Sequence, residues 1–138
     1  MERKRYNLLV VDDEEDALTM VRHMLRGTPF NIIMATNGQD ALAKAQREDI
    51  DIVLLDIMMP DISGMAVCGH LRADPRLQSV PIVMLTALDD YATRREAMQA
   101  GATDLITKPV TKDELLAKLN GILAEYHAGS QASQAWLG

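Results

Sequence analysis

Residues Ile50 to Pro60 read Ile-Asp-Ile-Val-Leu-Leu-Asp-Ile-Met-Met-Pro, and the unbroken apolar run Ile52 to Leu55 inside them constrains the fold more than any other stretch. A strand with one wet face alternates apolar and polar residues. A run without alternation therefore predicts a strand covered on both faces, as at the centre of a parallel sheet. Asp56 closes the run. In open α/β sheets the loops leaving the carboxyl ends of the strands line a crevice where ligands collect, so a carboxylate at that end is a candidate for chemistry.

The rest of the chain alternates in kind. Short apolar runs at Tyr6 to Val11, Phe30 to Ala35, Val80 to Leu85 and Thr103 to Thr107 read as further strands. Between them lie stretches with helical spacing: Glu14 to Arg26 before Gly27, Gly38 to Glu48, Gly64 to Ala73 before Asp74-Pro75, and Tyr91 to Ala100 before Gly101. Lys112 to Tyr126 forms the last helix, with Leu115, Leu116, Leu119, Ile122 and Leu123 as its apolar stripe. Strands that alternate with helices predict an α/β fold, because parallel neighbours need crossover connections and right-handed crossovers cover both faces. The expected architecture is a flavodoxin-like, doubly wound five-stranded parallel sheet in the order 2-1-3-4-5, with its site at the switch point between strands 1 and 3.

Composition narrows the function. A chain of 138 residues makes one ordinary domain, and 20 acidic against 14 basic residues give a net charge of -6. Apart from Arg3-Lys4-Arg5 and Arg94-Arg95 the basic residues do not cluster, which argues against direct binding of nucleic acid. Cys68 is the single cysteine, so neither a disulfide nor a thiolate metal site can form within the chain. The N-terminus reads as neither a signal peptide nor a membrane span, and a cytoplasmic location is expected.

All five strand ends fall on one edge, where strand 1 delivers Asp12-Asp13, strand 3 Asp56, strand 4 Thr86 and strand 5 Lys108-Pro109. Clustered carboxylates repel unless a cation neutralises them, and an all-oxygen site with few ligands suits Mg²⁺. With such a cation, Asp56 could act as a carboxylate nucleophile toward phosphorus, while Lys108 and the Thr86 hydroxyl bind phosphoryl oxygens. Taken singly, each residue also has a plain reading. Asp13 would suit a helix N-cap, Asp56 a turn, Thr86 a strand end and Lys108 a solvated surface charge.

The joint pattern resembles the response-regulator receiver domain of two-component signalling, of the chemotaxis-regulator type, from about Tyr6 to Glu125. The residues carrying the resemblance are Asp12-Asp13, Asp56 with Met59-Pro60 and Gly64, Thr86-Ala87, and Lys108-Pro109 after Gly101-Ala102. It implies that Asp56 accepts a phosphoryl group from the phosphohistidine of a sensor histidine kinase or phosphotransfer protein. It also implies that Asp13, Asp56 and the Met58 carbonyl bind Mg²⁺ with Asp12 assisting through water, and that the Lys108-Pro109 peptide is cis. Such a domain catalyses only its own phosphorylation and dephosphorylation. Its fourth helix, fifth strand and fifth helix would carry the signal to an output domain or partner protein.

Three positions depart from the commonest pattern of that family: Leu105 stands where many members carry an aromatic switch residue, and Met58 and Leu88 are apolar where polar groups can orient water. A long-lived aspartyl phosphate is expected from the last two. Residues 1–127 are read as the receiver, and the small polar stretch 128–138 as a flexible tail or the start of a linker to a missing output domain, such as a cyclic-dinucleotide enzyme, a DNA-binding domain or a kinase. Asp104 and Lys118 are expected to pair across a phosphorylation-dependent homodimer. Other classes fit less well. A haloacid-dehalogenase-type hydrolase needs a second aspartate where Met58 stands, and the acidic run Asp12 to Asp16 would repel the phosphate of a nucleotide or flavin.

Overall fold

Strands β1 (Tyr6–Val11), β2 (Phe30–Ala35), β3 (Ile52–Asp56), β4 (Ile82–Thr86) and β5 (Asp104–Thr107) form one parallel sheet in the order β2-β1-β3-β4-β5. The computed structural model describes residues 5–88 and 90–137, with side chains as far as Tyr126. Every residue of β3 and β4 is buried, as their unbroken apolar composition predicts for strands covered on both sides.

The covering layers follow from side-chain alternation. Leu9 and Val11, Val53 and Leu55, Ile82 and Met84, and Leu105 face one core, into which α2 (Gly38–Arg47), α3 (Gly64–Ala73) and α4 (Tyr91–Ala100) place Ala41, Ala45, Val67, Cys68, Leu71 and Ala97. Leu8 and Val10, Ile52 and Leu54, Val83 and Leu85, and Ile106 face the other. There α1 (Glu15–Met24) and α5 (Lys112–Leu137) pack with Leu18, Val21, Leu115, Leu119, Ile122 and Leu123. Successive strand residues point to opposite faces, so each strand feeds both cores at once. Cys68 is fully buried among apolar neighbours, as a packing residue should be.

Short polar side chains fix the helix starts. Asn37 Oδ1 accepts from Asp40 N–H at 2.8 Å, Ser63 Oγ from Ala66 N–H at 3.2 Å and Asp90 Oδ1 from Thr93 N–H at 2.7 Å. Gly101 closes α4 in the left-handed region at φ 107°.

Several boundaries differ from the sequence reading. β4 starts at Ile82, not Val80, because Pro81 has no N–H for the ladder and Val80 N–H donates to Leu77 O in a turn. That turn follows a 3-10 segment, Pro75–Leu77, which the sequence reading lacks. α5 continues to Leu137, past the expected end at Tyr126; no proline interrupts 127–137, and the alanines and glutamines there favour helix. Side chains of the expected tail from residue 128, and those of Arg3, Lys4 and His127, lie outside the described ones. Among the described residues, no helix is long and apolar enough to cross a membrane.

Candidate functional site

Strand register brings the site together. Val11 is level with Leu55, Asp56 with Leu85, and Thr86 with Thr107. Asp12 and Asp56 are therefore neighbours, Thr86 lies one residue further out, and Lys108 one further again. Main-chain bonds hold this staircase: Asp12 N–H donates to Ala35 O at 3.1 Å, Ile57 N–H to Leu85 O at 3.2 Å, and Lys108 N–H to Thr86 O at 2.7 Å. The Lys108-Pro109 peptide is cis, as the resemblance implied.

Among the described residues, the buried polar or charged side chains are Asp12, Asp56 and Thr86, all at this edge. Burying charge without partners is costly, so a fold that does so here and leaves its other carboxylates wet has built a site. Carboxylate oxygens of Asp12, Asp13 and Asp56 lie within 4.8 Å of one another, and Asp13 is the exposed member. Lys108 Nζ stands 3.4 Å from Asp56 Oδ1 and 3.5 Å from Asp12 Oδ2, reaching two carboxylates of the three. Asp12 Oδ1 also accepts from Glu14 N–H at 3.0 Å, and Asp56 accepts from the Met58 backbone N–H.

Burial pushes the Asp56 carboxyl above its ordinary range, the nearby Asp12 pushes it further, and Lys108 and the Met58 N–H only partly oppose them. For Lys108, burial alone would favour the neutral amine. Asp56 and Asp12 outweigh it, and the ammonium is held above its ordinary value. One ammonium, in reach of two of the three clustered carboxylates, leaves an excess of negative charge. That set of hard donors could hold a small divalent cation.

The plain readings of two residues fail here. Glu14, not Asp13, is the N-cap of α1, and Lys108 is engaged by two carboxylates instead of being freely solvated. Thr86 does accept from Leu88 N–H at 3.1 Å, as a strand-end hydroxyl would, while its side chain stays buried beside Asp56. Leu105 is buried in the core between the sheet and the α2–α4 layer. Lys118 Nζ lies 3.1 Å from Asp104 Oδ2 of the same chain, so this pair, expected across a dimer, closes within the monomer; β5 and the facing α5 already bring the two side chains together.

The chain matches the family model for the response regulator receiver domain over residues 8–120. It belongs to the response-regulator receiver family. The receiver is 35% identical to the alkaline phosphatase synthesis transcriptional regulatory protein PhoP of Bacillus subtilis, over 92% of this chain and 52% of PhoP. It is 37% identical to the response regulator PleD of Caulobacter vibrioides, over 83% of this chain and 25% of PleD. Among solved structures, the chemotaxis protein CheY4 of Vibrio cholerae superposes with a TM-score of 0.82 at 31% identity, covering 84% of this chain and 97% of CheY4. The receiver thus spans about half of PhoP, a quarter of PleD and nearly all of CheY4.

Three residues that hold the site in place escaped the sequence reading of roles. Asp61, in the β3–α3 loop, accepts from Gly38 N–H at 3.1 Å and ties that loop to the start of α2. Backbone donors at Ile62, Gly38 and Gln39 hold its carboxyl below the ordinary range. Gly64 was read as a family mark, and its reason is now steric: a Cβ there would strike the Asp56 carbonyl oxygen and stand 2.7 Å from Ile57 Cα. Arg72 on α3 donates to Gly101 O at 2.8 Å, Leu77 O at 2.9 Å and Val80 O at 2.6 Å, joining the turns before β4 and β5.

Proposed function

We propose that Asp56 is the phosphoacceptor of a two-component system, loaded from the phosphohistidine of a sensor histidine kinase or phosphotransfer protein in the cytoplasm. The observation that carries this reading is the burial of Asp12, Asp56 and Thr86 at one sheet edge, with Lys108 bridging the two carboxylates. An Asp56 carboxylate oxygen attacks phosphorus; the new P–O bond forms as the P–N bond breaks, and the bonding electrons leave with the imidazole nitrogen. Asp12, Asp13, Asp56 and the Met58 carbonyl would hold Mg²⁺, which when bound offsets the carboxylate charge and draws density from the phosphoryl oxygens. Lys108 binds a phosphoryl oxygen in place of its present contact with Asp56, and the Thr86 hydroxyl turns from Leu88 N–H to donate to another.

Phosphorylation then biases the α4–β5–α5 face between two arrangements, which is how a local charge change controls an output domain or partner. Because Leu105 is apolar and buried, that switch runs without a moving aromatic on β5. Residues 1–127 form the unit that switches, and 128–138 lead toward the output.

Intact-protein mass after incubation with Mg²⁺ and acetyl phosphate tests this reading. The parent gains one phosphoryl group and Asp56→Asn gains none. Labelling of Asp56→Asn, or no labelling of a folded parent, would overturn it.

A further inference from the structure

The crevice between the β3–α3 loop and the start of α4 is lined by Met58, Met59, Met65 and Leu88 together with the polar side chains of Thr86 and Glu96. Met58 is 67% and Leu88 50% exposed, whereas Met84, in the strand beside β3, is fully buried. Thioethers oxidise according to their exposure, which puts Met58 ahead of its buried counterparts. It is also the exposed methionine that follows Asp56 by two residues.

We propose that Met58 is an oxidation site whose conversion to the sulfoxide shortens the life of the phosphoryl group on Asp56. The inference rests on the reading of Asp56 as phosphoacceptor. The oxidant is hydrogen peroxide: the sulfur lone pair attacks one oxygen, the O–O bond breaks as the S–O bond forms, and the proton of the transferred oxygen passes to the departing hydroxide, which leaves as water. Sulfur loses two electrons and the peroxide gains them.

A thioether is a weak hydrogen-bond acceptor, so the reduced Met58 side chain does little to hold a hydrolytic water. The sulfoxide oxygen is a strong, polar acceptor carried on the same flexible side chain. It can hold and orient a water toward the phosphoryl group, as a weak substitute for a positioned base. Leu88, across the crevice, cannot be oxidised in this way, and Met59 and Met65, which also line it, are partly buried against the core, so Met58 is the thioether that a peroxide meets first.

The test is a graded hydrogen peroxide treatment of the full chain, followed by peptide mass mapping and by phosphoryl decay after loading with acetyl phosphate and Mg²⁺. The parent and Met58→Leu, which keeps the backbone carbonyl, are each compared with their own untreated sample. The expected result is that Met58 gains oxygen at a lower dose than Met84. Decay in the parent should quicken by about three- to tenfold, well short of the ~100-fold available to a positioned base. Decay in Met58→Leu should not respond, and methionine sulfoxide reductase should restore the slow decay in the parent. Equal quickening in both proteins, no quickening in the parent, or a Met58 no more reactive than Met84 would each overturn the proposal. An untreated parent that takes no phosphoryl group removes the reading of Asp56, and this inference with it.

Discussion

Asp56 is kept where its charge is least comfortable, buried and beside Asp12, and this strain has a pH signature. A carboxyl raised in the folded state binds more protons folded than unfolded between its two pKa values. Stability therefore falls as pH rises through that window, and the whole cost is present at neutral pH. In a metal-free buffer, Asp56→Asn should melt higher than the parent at pH 7, and the gap should close as pH falls from the raised value of the folded carboxyl to the ordinary carboxylate value. A gap that widens toward acid would contradict the assignment. Met58→Asn belongs to the same scale. An amide two residues after the acceptor supplies the hydrogen bonds that methionine lacks, so the variant should lose its phosphoryl group several-fold faster, read as decay of the labelled mass. All five charged or hydroxyl groups of the site were visible in the sequence, because each stands at or just past the end of a strand-forming run. What could not be read was their inequality, with Asp12 buried and Asp13 wet, since burial depends on which neighbouring loops cross above each residue.

The elements are held to one another by residues whose partners are mostly backbone. Arg72 serves three carbonyls in two separate turns, and its replacement by methionine leaves acceptors unmet at about 1–3 kcal/mol for each that stays out of water. Chemical denaturation of Arg72→Met should show a lower midpoint while the labelling of Asp56 persists. Gly64→Ala should do more than destabilise: the added carbon pushes on the Asp56 main chain, so the variant should also label more slowly. Strand existence and order were legible because periodicity and connection rules act locally. The 3-10 segment at Pro75–Leu77 and the hold of Arg72 were not, because carbonyl acceptors are the same in every residue and leave no mark in composition. The end of α5 was misplaced for a related reason. The apolar stripe stops near Leu123, and beyond it the helix continues on intrinsic propensity, which leaves no periodic mark in the sequence.

For the whole receiver, the proposed cation binding would be linked to folding. A ligand that binds only the folded chain at a hundred times its dissociation constant adds about 2.7 kcal/mol, so Mg²⁺ should raise the melting temperature of the parent, and by less in Asp13→Asn. A flat melting temperature across Mg²⁺ concentrations would contradict the proposed ligand set. Association is the other property at this scale. Lys118 and Asp104 meet within one chain on the α4–β5–α5 face, so if phosphorylation drives a dimer through that face, Lys118→Glu should weaken it in sedimentation. An unchanged dimer would move the interface elsewhere. Asp12 and Lys108 meet across 96 positions of sequence, and neither approaches Asp56 unless β1, β3 and β5 are all in register around it. A half-made or damaged chain thus lacks the assembled site around Asp56. On the proposed reading, a kinase cannot waste its signal on broken copies, and the count of phosphorylated molecules is also a count of intact ones.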